Sequence, residues 1–413
     1  NNETKYEYDN LNTLIKQTYP DLTTIINQYD ISWNLIKRID PNWTVMINIF
    51  DELNRLTWRT IQRVTWVLWT TSESYIYDEL WRLISATDNF NNDLSFKYNS
   101  LNSLINETNS DKIVNYIYDN NWNITSINNI DYAYDINNRL ISVKNWTELI
   151  VNYKYDSLTK TKQIFWNWII TNYTYDELLR LSSILTNSDK QTIDNFNYTY
   201  NLNWNITSNW IENYSYDNLD QIIEVNYSTR EKNKELIEKF SYDNVWNREI
   251  FENIEVKKEK EKDKHKEKDN KKESKQKIII TNYWINKLNQ YTGIIIEKDK
   301  KKTKEKSIDY SYDNNWNLIQ DKENKYFYDY KNRLIKVEKL IKSKEKKADK
   351  KDKKKKSKII VEYKYDIFWR RIEKKVKKDI FKYYYAWKNI ILEKKYKIDY
   401  DGLELKETRE NIY

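Results

Sequence analysis

Residues 116–143 read YIYDNNWNITSINNIDYAYDINNRLISV, and this stretch decides the fold because it holds one short pattern twice. Tyr116 and Tyr118, then Tyr132 and Tyr134, stand two residues apart. On an extended chain both rings of a pair share one face, and aromatic rings suit a pleated surface. Asp119 and Asp135 follow at once, and a short carboxylate there starts a turn by accepting backbone N–H groups just ahead. Three residues further on, Asn138 is a residue type tolerant of positive φ. The run Arg139-Leu140-Ile141-Ser142-Val143 then resumes as a second strand. The pattern predicts a β-hairpin: aromatic strand, Asp-led turn, aliphatic strand.

Outward from this stretch the pattern fills the chain. Tyr-x-Tyr-Asp ends at Asp9, Asp78, Asp119, Asp135, Asp156, Asp176, Asp217, Asp313, Asp329 and Asp366, with variants ending at Asp30, Asp51, Asn99, Asn201, Asp243 and Asp401. Successive endings are often 20 or 21 residues apart, with a shorter step of 16 at 119 to 135, 201 to 217 and 313 to 329. Self-similarity at such a period marks a repeat architecture. Asn12, Asn54, Asn102, Asn138, Asn332 or Asp220 stands three positions past the turn Asp in several repeats.

In the others that position holds Trp33, Trp81, Trp122, Trp204, Trp246, Trp316 or Trp369. A residue that exchanges with Asn and Asp where φ > 0 is needed should be Gly, because Trp meets the Cβ clash of the left-handed region and exposes a large ring. The chain has 17 Trp and only 2 Gly, where ordinary usage at this length gives about 30 Gly. Trp43, Trp66, Trp69, Trp146, Trp166, Trp168, Trp210 and Trp387 also sit in loop-like contexts. The expectation is that these are glycine positions, from an AT-rich gene in which UGA encodes Gly but was read as Trp. The competing expectation is a real exposed Trp surface that stacks on ligands.

Composition narrows the chemistry. With Cys 0 and one His, His265 in EKDKHKEKD (261–269), no thiol nucleophile, disulfide or histidine-based zinc site is available. No metal or cofactor is expected. The net charge of +8 gathers in three Lys-rich segments, 255–277, 297–306 and 338–358, which carry +15 together and leave the remainder at −7. Each is flanked by a strand-like run such as Ile278-Ile279-Ile280 or Ile359-Ile360-Val361. They read as solvated loops, and without interleaved aromatics they give no nucleic-acid partner. No apolar run approaches a membrane span. The first residue, Asn1, is not an initiator Met, so the chain reads as a fragment or processed product.

With Gly in mind at the Trp positions, YDNNWNITS (118–126), YDELWRLISATD (77–88) and YDIFWRRIEKK (365–375) resemble the YD repeat of the rearrangement-hotspot (Rhs) family. That family spans bacterial polymorphic toxins, encapsulating subunits of insecticidal toxin complexes, wall-associated proteins and animal teneurins. The resemblance implies an all-β fold in which tandem YD-repeat hairpins form a long antiparallel ribbon that spirals into part of a hollow shell. Strand number agrees, since an open twisted sheet seldom exceeds about 10 strands without curling. The expected organisation is a YD-repeat shell over 1–254, a Lys-rich loop over 255–277 and hairpin strands over 278–296. A second Lys-rich loop over 297–306, YD repeats over 307–337 and a third loop over 338–358 follow. The last repeats, 359–413, resemble those leading into the family's core-associated segment.

The resemblance also implies a role: a secreted or cell-surface shell that encloses, and helps deliver, a toxin domain C-terminal in the same polypeptide. The alternative is a carbohydrate-binding adhesin or wall-associated protein with cell-surface glycans as partners. Catalysis is not expected, because the turn Asp residues recur in every repeat and no unique carboxylate pair stands out. One carboxylate per turn also falls short of the six to eight oxygens around Ca²⁺.

Overall fold

A computed structural model describes residues 3–63, 70–109, 112–227, 234–257, 275–298, 308–341, 357–399 and 402–410. Every element among them is a β-strand, from Lys5–Tyr8 to Gly402–Glu410. Each pairing is antiparallel and joins strands consecutive in the chain, for example Lys5–Tyr8 with Leu14–Thr18 and Ile170–Tyr175 with Leu181–Asn187. The chain is therefore a β-ribbon that grows by one hairpin at a time. No helix among the described residues is long and apolar enough to cross a membrane.

The ribbon divides into two units, residues 1–130 with 310–413, and residues 131–309. In the first unit the core lies under residues from both of its segments: Ala86, Leu94, Phe96, Leu104, Val114 and Tyr116 pack with Ile367 and Ala386. A second cluster joins Ile61, with Met46 against it, to Tyr330. In the second unit Val143, Val151, Val225 and Ile254 are the buried aliphatic side chains, on strands that alternate inward and outward positions.

Each Tyr-x-Tyr-Asp segment ends its strand in the same irregular way. The register slips between the last two strand residues, as at Glu7/Tyr8, Ile76/Tyr77, Ile117/Tyr118, Lys154/Tyr155 and Lys364/Tyr365. At each of these except Lys154/Tyr155 this is a turn followed by one left-handed residue and a bulge, a hairpin connection that favours Gly at the left-handed position. The turn at Asp156 closes one residue sooner, on Thr159, without a left-handed residue.

The strands reach into the Lys-rich segments. Arg248–Lys257 and Lys275–Ile285 pair from Lys257↔Lys275 to Ile250↔Asn282, and Tyr291–Lys298, Leu334–Leu340 and Ser357–Tyr365 also extend past the boundaries read from composition. Ladder pairing is made by backbone groups, so it continues through lysines as through any other residue with an N–H. Residues 258–274, 299–307 and 342–356, the centres of the three segments, lie outside the described residues, as does Asp401.

Candidate functional site

The site grows from the turn carboxylate. In Asp135, Oδ1 accepts the backbone N–H groups of Asn137 and Arg139 at 2.9 Å each, and Oδ2 accepts Nε of Arg139 at 2.7 Å. Asp78, Asp176, Asp329 and Asp366 repeat this with Arg82, Arg180, Arg333 and Arg370. In Asp119 and Asp313 the side-chain partner is Asn123 or Asn317, in Asp217 it is Gln221, and in Asp156 it is the Thr159 hydroxyl. Asp9 takes the backbone N–H groups of Leu11 and Thr13.

At Asp9, Asp119, Asp135 and Asp156 these bonds favour the ionised form. The Thr13 N–H lowers the pKa of Asp9, the Asn123 side-chain amide that of Asp119, the Arg139 N–H that of Asp135 and the Thr159 N–H that of Asp156. Asp313 goes the other way, since burial raises it more than its bonds to Asn317 lower it.

Two further residue types stitch one repeat to the next. Arg139 Nη1 donates to the carbonyl of Asp156, Arg82 Nη1 to that of Asn99, Arg333 Nη1 to that of Asp366 and Arg370 Nη1 to that of Trp387. The same guanidinium groups lie over Tyr155, Tyr98, Tyr365 and Tyr385, 4.6–5.2 Å from the ring centroids. Each of these tyrosines donates its hydroxyl back to a carbonyl of the preceding repeat: Tyr155 to Leu140, Tyr98 to Leu83, Tyr365 to Leu334 and Tyr385 to Arg371. The arginine four residues past the turn Asp recurs visibly in the sequence, but sequence reasoning passed over it.

Trp33, Trp81, Trp122, Trp204, Trp246, Trp316 and Trp369 all have positive φ, from 66° to 72°. Trp43, Trp146, Trp168, Trp210 and Trp387 do as well, at 54° to 78°. Asn12, Asn54, Asn102, Asn138, Asn332 and Asp220 take the same conformation at 59° to 66°. Trp58 and Trp284 lie instead in the strands Leu56–Gln62 and Lys275–Ile285. Trp66 and Trp69 lie outside the described residues.

What sequence reasoning missed entirely is a seam within the first unit. Because strands alternate direction, the Tyr-x-Tyr-Asp turns of a ribbon segment share one edge, here the turn edge, and the opposite hairpin bends form a far edge. The turn edge of residues 310–413 packs on the far edge of residues 1–130. Asn315 Oδ1 accepts the backbone N–H of Asn42 at 3.0 Å, and the Trp316 ring meets Tyr19 edge-on with centroids 4.2 Å apart.

Glu73, only 2% exposed, accepts Nζ of Lys331 at 2.8 Å, the Tyr75 hydroxyl at 2.8 Å, Nη1 of Arg59 at 3.1 Å and the Tyr330 hydroxyl. Glu107, 1% exposed, accepts Nη1 of Arg370 at 2.5 Å, the Trp387 N–H at 3.2 Å and the Tyr116 hydroxyl at 3.2 Å. Burial alone would push Glu73 up, but the Lys331 ammonium and the phenol hydroxyls bring it below the ordinary carboxylate range. Burial pulls Lys331 down and pushes Tyr75, Tyr116 and Tyr330 up. A buried carboxylate is tolerable only with this full set of donors. Nothing in the local sequence of SESYIY or LINETN marks Glu73 or Glu107, since the partners that the opposite segment supplies are 257 to 280 residues away.

Compared as a sequence, the chain matches no family model and no curated protein. Its fold is similar to solved structures entitled "Crystal Structure of TcdB2-TccC3-TEV" (TM-score 0.60, 12% identity, 97% of this chain and 22% of that chain) and "Crystal Structure of TcdB2-TccC3-Cdc42" (TM-score 0.61, 13% identity, 98% and 22%). A third is the Tc holotoxin pore of Photorhabdus luminescens (TM-score 0.57, 12% identity, 95% and 20%). The chain spans about a fifth of the length of these neighbours.

Proposed function

We propose that this chain is wall material: a segment of an exported β-shell that encloses a toxin domain lying further along the same polypeptide, without catalysing a reaction itself. The observation that supports the reading best is the seam. Late repeats lie on early ones through buried carboxylates that each accept several donors, so the ribbon is laid in courses, as a wall is. One fold neighbour is a Tc holotoxin pore, and others are TcdB2-TccC3 with Cdc42, with TEV or without its hypervariable C-terminal region. That variety beside one shared fold suits a container indifferent to its contents.

The test is to join the chain to a downstream passenger in the complete polypeptide and follow both parts during limited proteolysis. Protection of the passenger that is lost when Glu73 and Glu107 are both replaced by Ala supports the container. A passenger digested equally fast in both forms overturns it.

The reading extends to the tryptophans. We propose that Trp33, Trp81, Trp122, Trp204, Trp246, Trp316 and Trp369 stand where the organism places Gly, the gene being read with UGA as Trp. Twelve Trp residues held at positive φ support this, because the left-handed region costs a side chain roughly 1–2 kcal/mol per residue. UGG codons at these positions would refute it.

A further inference from the structure

Three turns of residues 310–413 lie at the seam, those of Asp313, Asp329 and Asp366, and only the last two carry an arginine four residues on. Arg333 gives Nε to Asp329, lies 4.8 Å from the centroid of the Tyr365 ring and gives Nη1 to the Asp366 carbonyl. Arg370 meets Asp366, the Tyr385 ring and the Trp387 carbonyl in the same way. At the third turn Asn317 stands in the arginine position. Its amide reaches Asp313 Oδ2 at 3.0 Å and Asn332 Oδ1 at 2.9 Å, but it brings no charge. The groups that receive the guanidinium elsewhere are nevertheless in place. Tyr328 donates its hydroxyl to the Leu318 carbonyl as Tyr365 does to that of Leu334, so the two rings are counterparts. The Asp329 carbonyl follows Tyr328 as the Asp366 carbonyl follows Tyr365.

Asp313, Tyr328 and Asp329 line one cavity of about 610 Å³, which Asn42 of the opposite ribbon segment borders as well. Burial sets this turn apart from others with the same partner. At Asp30, Asp119 and Asp243 the Asn side chain is the strongest influence and lowers the pKa, whereas at Asp313 burial outweighs it and raises the pKa. A carboxylate taken from water costs free energy until a countercharge reaches it. Lys325 also borders the cavity, but it stands opposite Glu338 across the strand pair, and its charge helps to lower that carboxyl.

We propose that this cavity binds a guanidinium group, presented by an arginine side chain of a polypeptide or by a small guanidino compound, between the Asp313 carboxylate, the Tyr328 ring and the Asp329 carbonyl. A planar guanidinium offers five N–H donors in a fork that matches a carboxylate and stacks on an aromatic face. A carboxylate has about four acceptor sites, so the Asn317 amide leaves Asp313 room for a further donor. Tyr312 and Tyr326 extend the aromatic wall, and a cation beside such rings is held more strongly where water is excluded. An alkylammonium has the charge without the fork and fits less well. The inference does not depend on what the wall encloses.

The test is isothermal titration calorimetry of the purified chain with methylguanidinium, which should bind saturably. Asp313→Asn should weaken binding about tenfold or more, the scale of one lost hydrogen bond between charged groups, and methylammonium should bind the unaltered chain more weakly. Asn317→Arg supplies the guanidinium from within the chain, so it should abolish binding and raise the melting temperature. Asn123→Arg, at the turn of Asp119, is the control and should leave binding unchanged. Titration with acetyl-arginine amide and with agmatine separates the sources: preference for the first points to a polypeptide, preference for the second to a small guanidino compound. Circular dichroism verifies folding, and should Asn317→Arg not fold, Asp313→Asn decides alone. An unaltered chain that binds no methylguanidinium overturns the proposal. So does binding that Asn317→Arg or Asp313→Asn leaves unchanged, or methylammonium bound as tightly as methylguanidinium.

Discussion

Arg370 holds two carboxylates that are far apart in the chain: Nε donates to Asp366 Oδ2 at 2.6 Å, four residues back, and Nη1 to Glu107 Oε1 at 2.5 Å, 263 residues back. One side chain thus closes its own turn and fastens that turn to the opposite segment of the first unit. Arg139, in the other unit, makes the same local bond to Asp135 and gives Nη1 to its neighbouring turn. The same repeat residue is therefore a stitch in one place and a stitch plus an anchor in another.

Removing one member of the anchor should cost more than removing both. Glu107→Ala leaves Arg370 buried beside Asp366 alone, and loss of one partner from a buried pair costs about 3–5 kcal/mol. Glu107→Leu combined with Arg370→Met should recover part of that loss. Urea unfolding of the two variants measures it; a double variant less stable than Glu107→Ala would contradict the account.

Turn aspartates should rank by burial. Asp329 and Asp366 are nearly inaccessible, and an Ala there strands several N–H donors, a loss of about 1–3 kcal/mol. Asp9 and Asp135 are more open, and water can replace their bonds, so Ala should be better tolerated. Thermal melts of the four variants should fall in that order.

Trp→Gly replacement should stabilise, and unequally. At Trp33, Trp81, Trp122, Trp204 and Trp246 the ring is exposed, so relief of the left-handed conformation, about 1–2 kcal/mol each, dominates. Trp316 packs on Tyr19 and should gain least. Melting temperatures that drop on replacement at Trp81 or Trp122 would show that those rings contribute more than their backbone strain.

Acid should loosen the repeats, with one exception of opposite sign. Asp9, Asp119, Asp135 and Asp156 have pKa values lowered by their N–H partners. Their stabilisation is complete above the unfolded value, near 3.8, and is lost as pH falls through the folded values. Asp313 is raised by burial, so its charge opposes folding at neutral pH, and protonation relieves it as pH falls through its folded value. Asp313→Asn should therefore flatten that part of the stability–pH profile, measured by urea midpoints between pH 7 and 3. A steeper profile would reverse the assigned sign.

The sequence by itself determined the hairpin and its turn. Tyr-x-Tyr-Asp at a short period, with Asn, Asp or Trp three residues on, specifies side-chain alternation, a carboxylate that caps two N–H groups and a left-handed residue, all within five positions. Those are local interactions, so they were legible at Asp135 or Asp78 without a structure. The stitching arginines were equally local, as Arg82 and Arg139 show. Only the tertiary structure decided the seam. Glu73 and Glu107 are ordinary strand residues until a distant turn brings Lys331, Tyr330 and Arg370 against them. Burial, which converts a solvated carboxylate into an anchor, depends on which ribbon edge lies opposite, and no spacing along the chain encodes that.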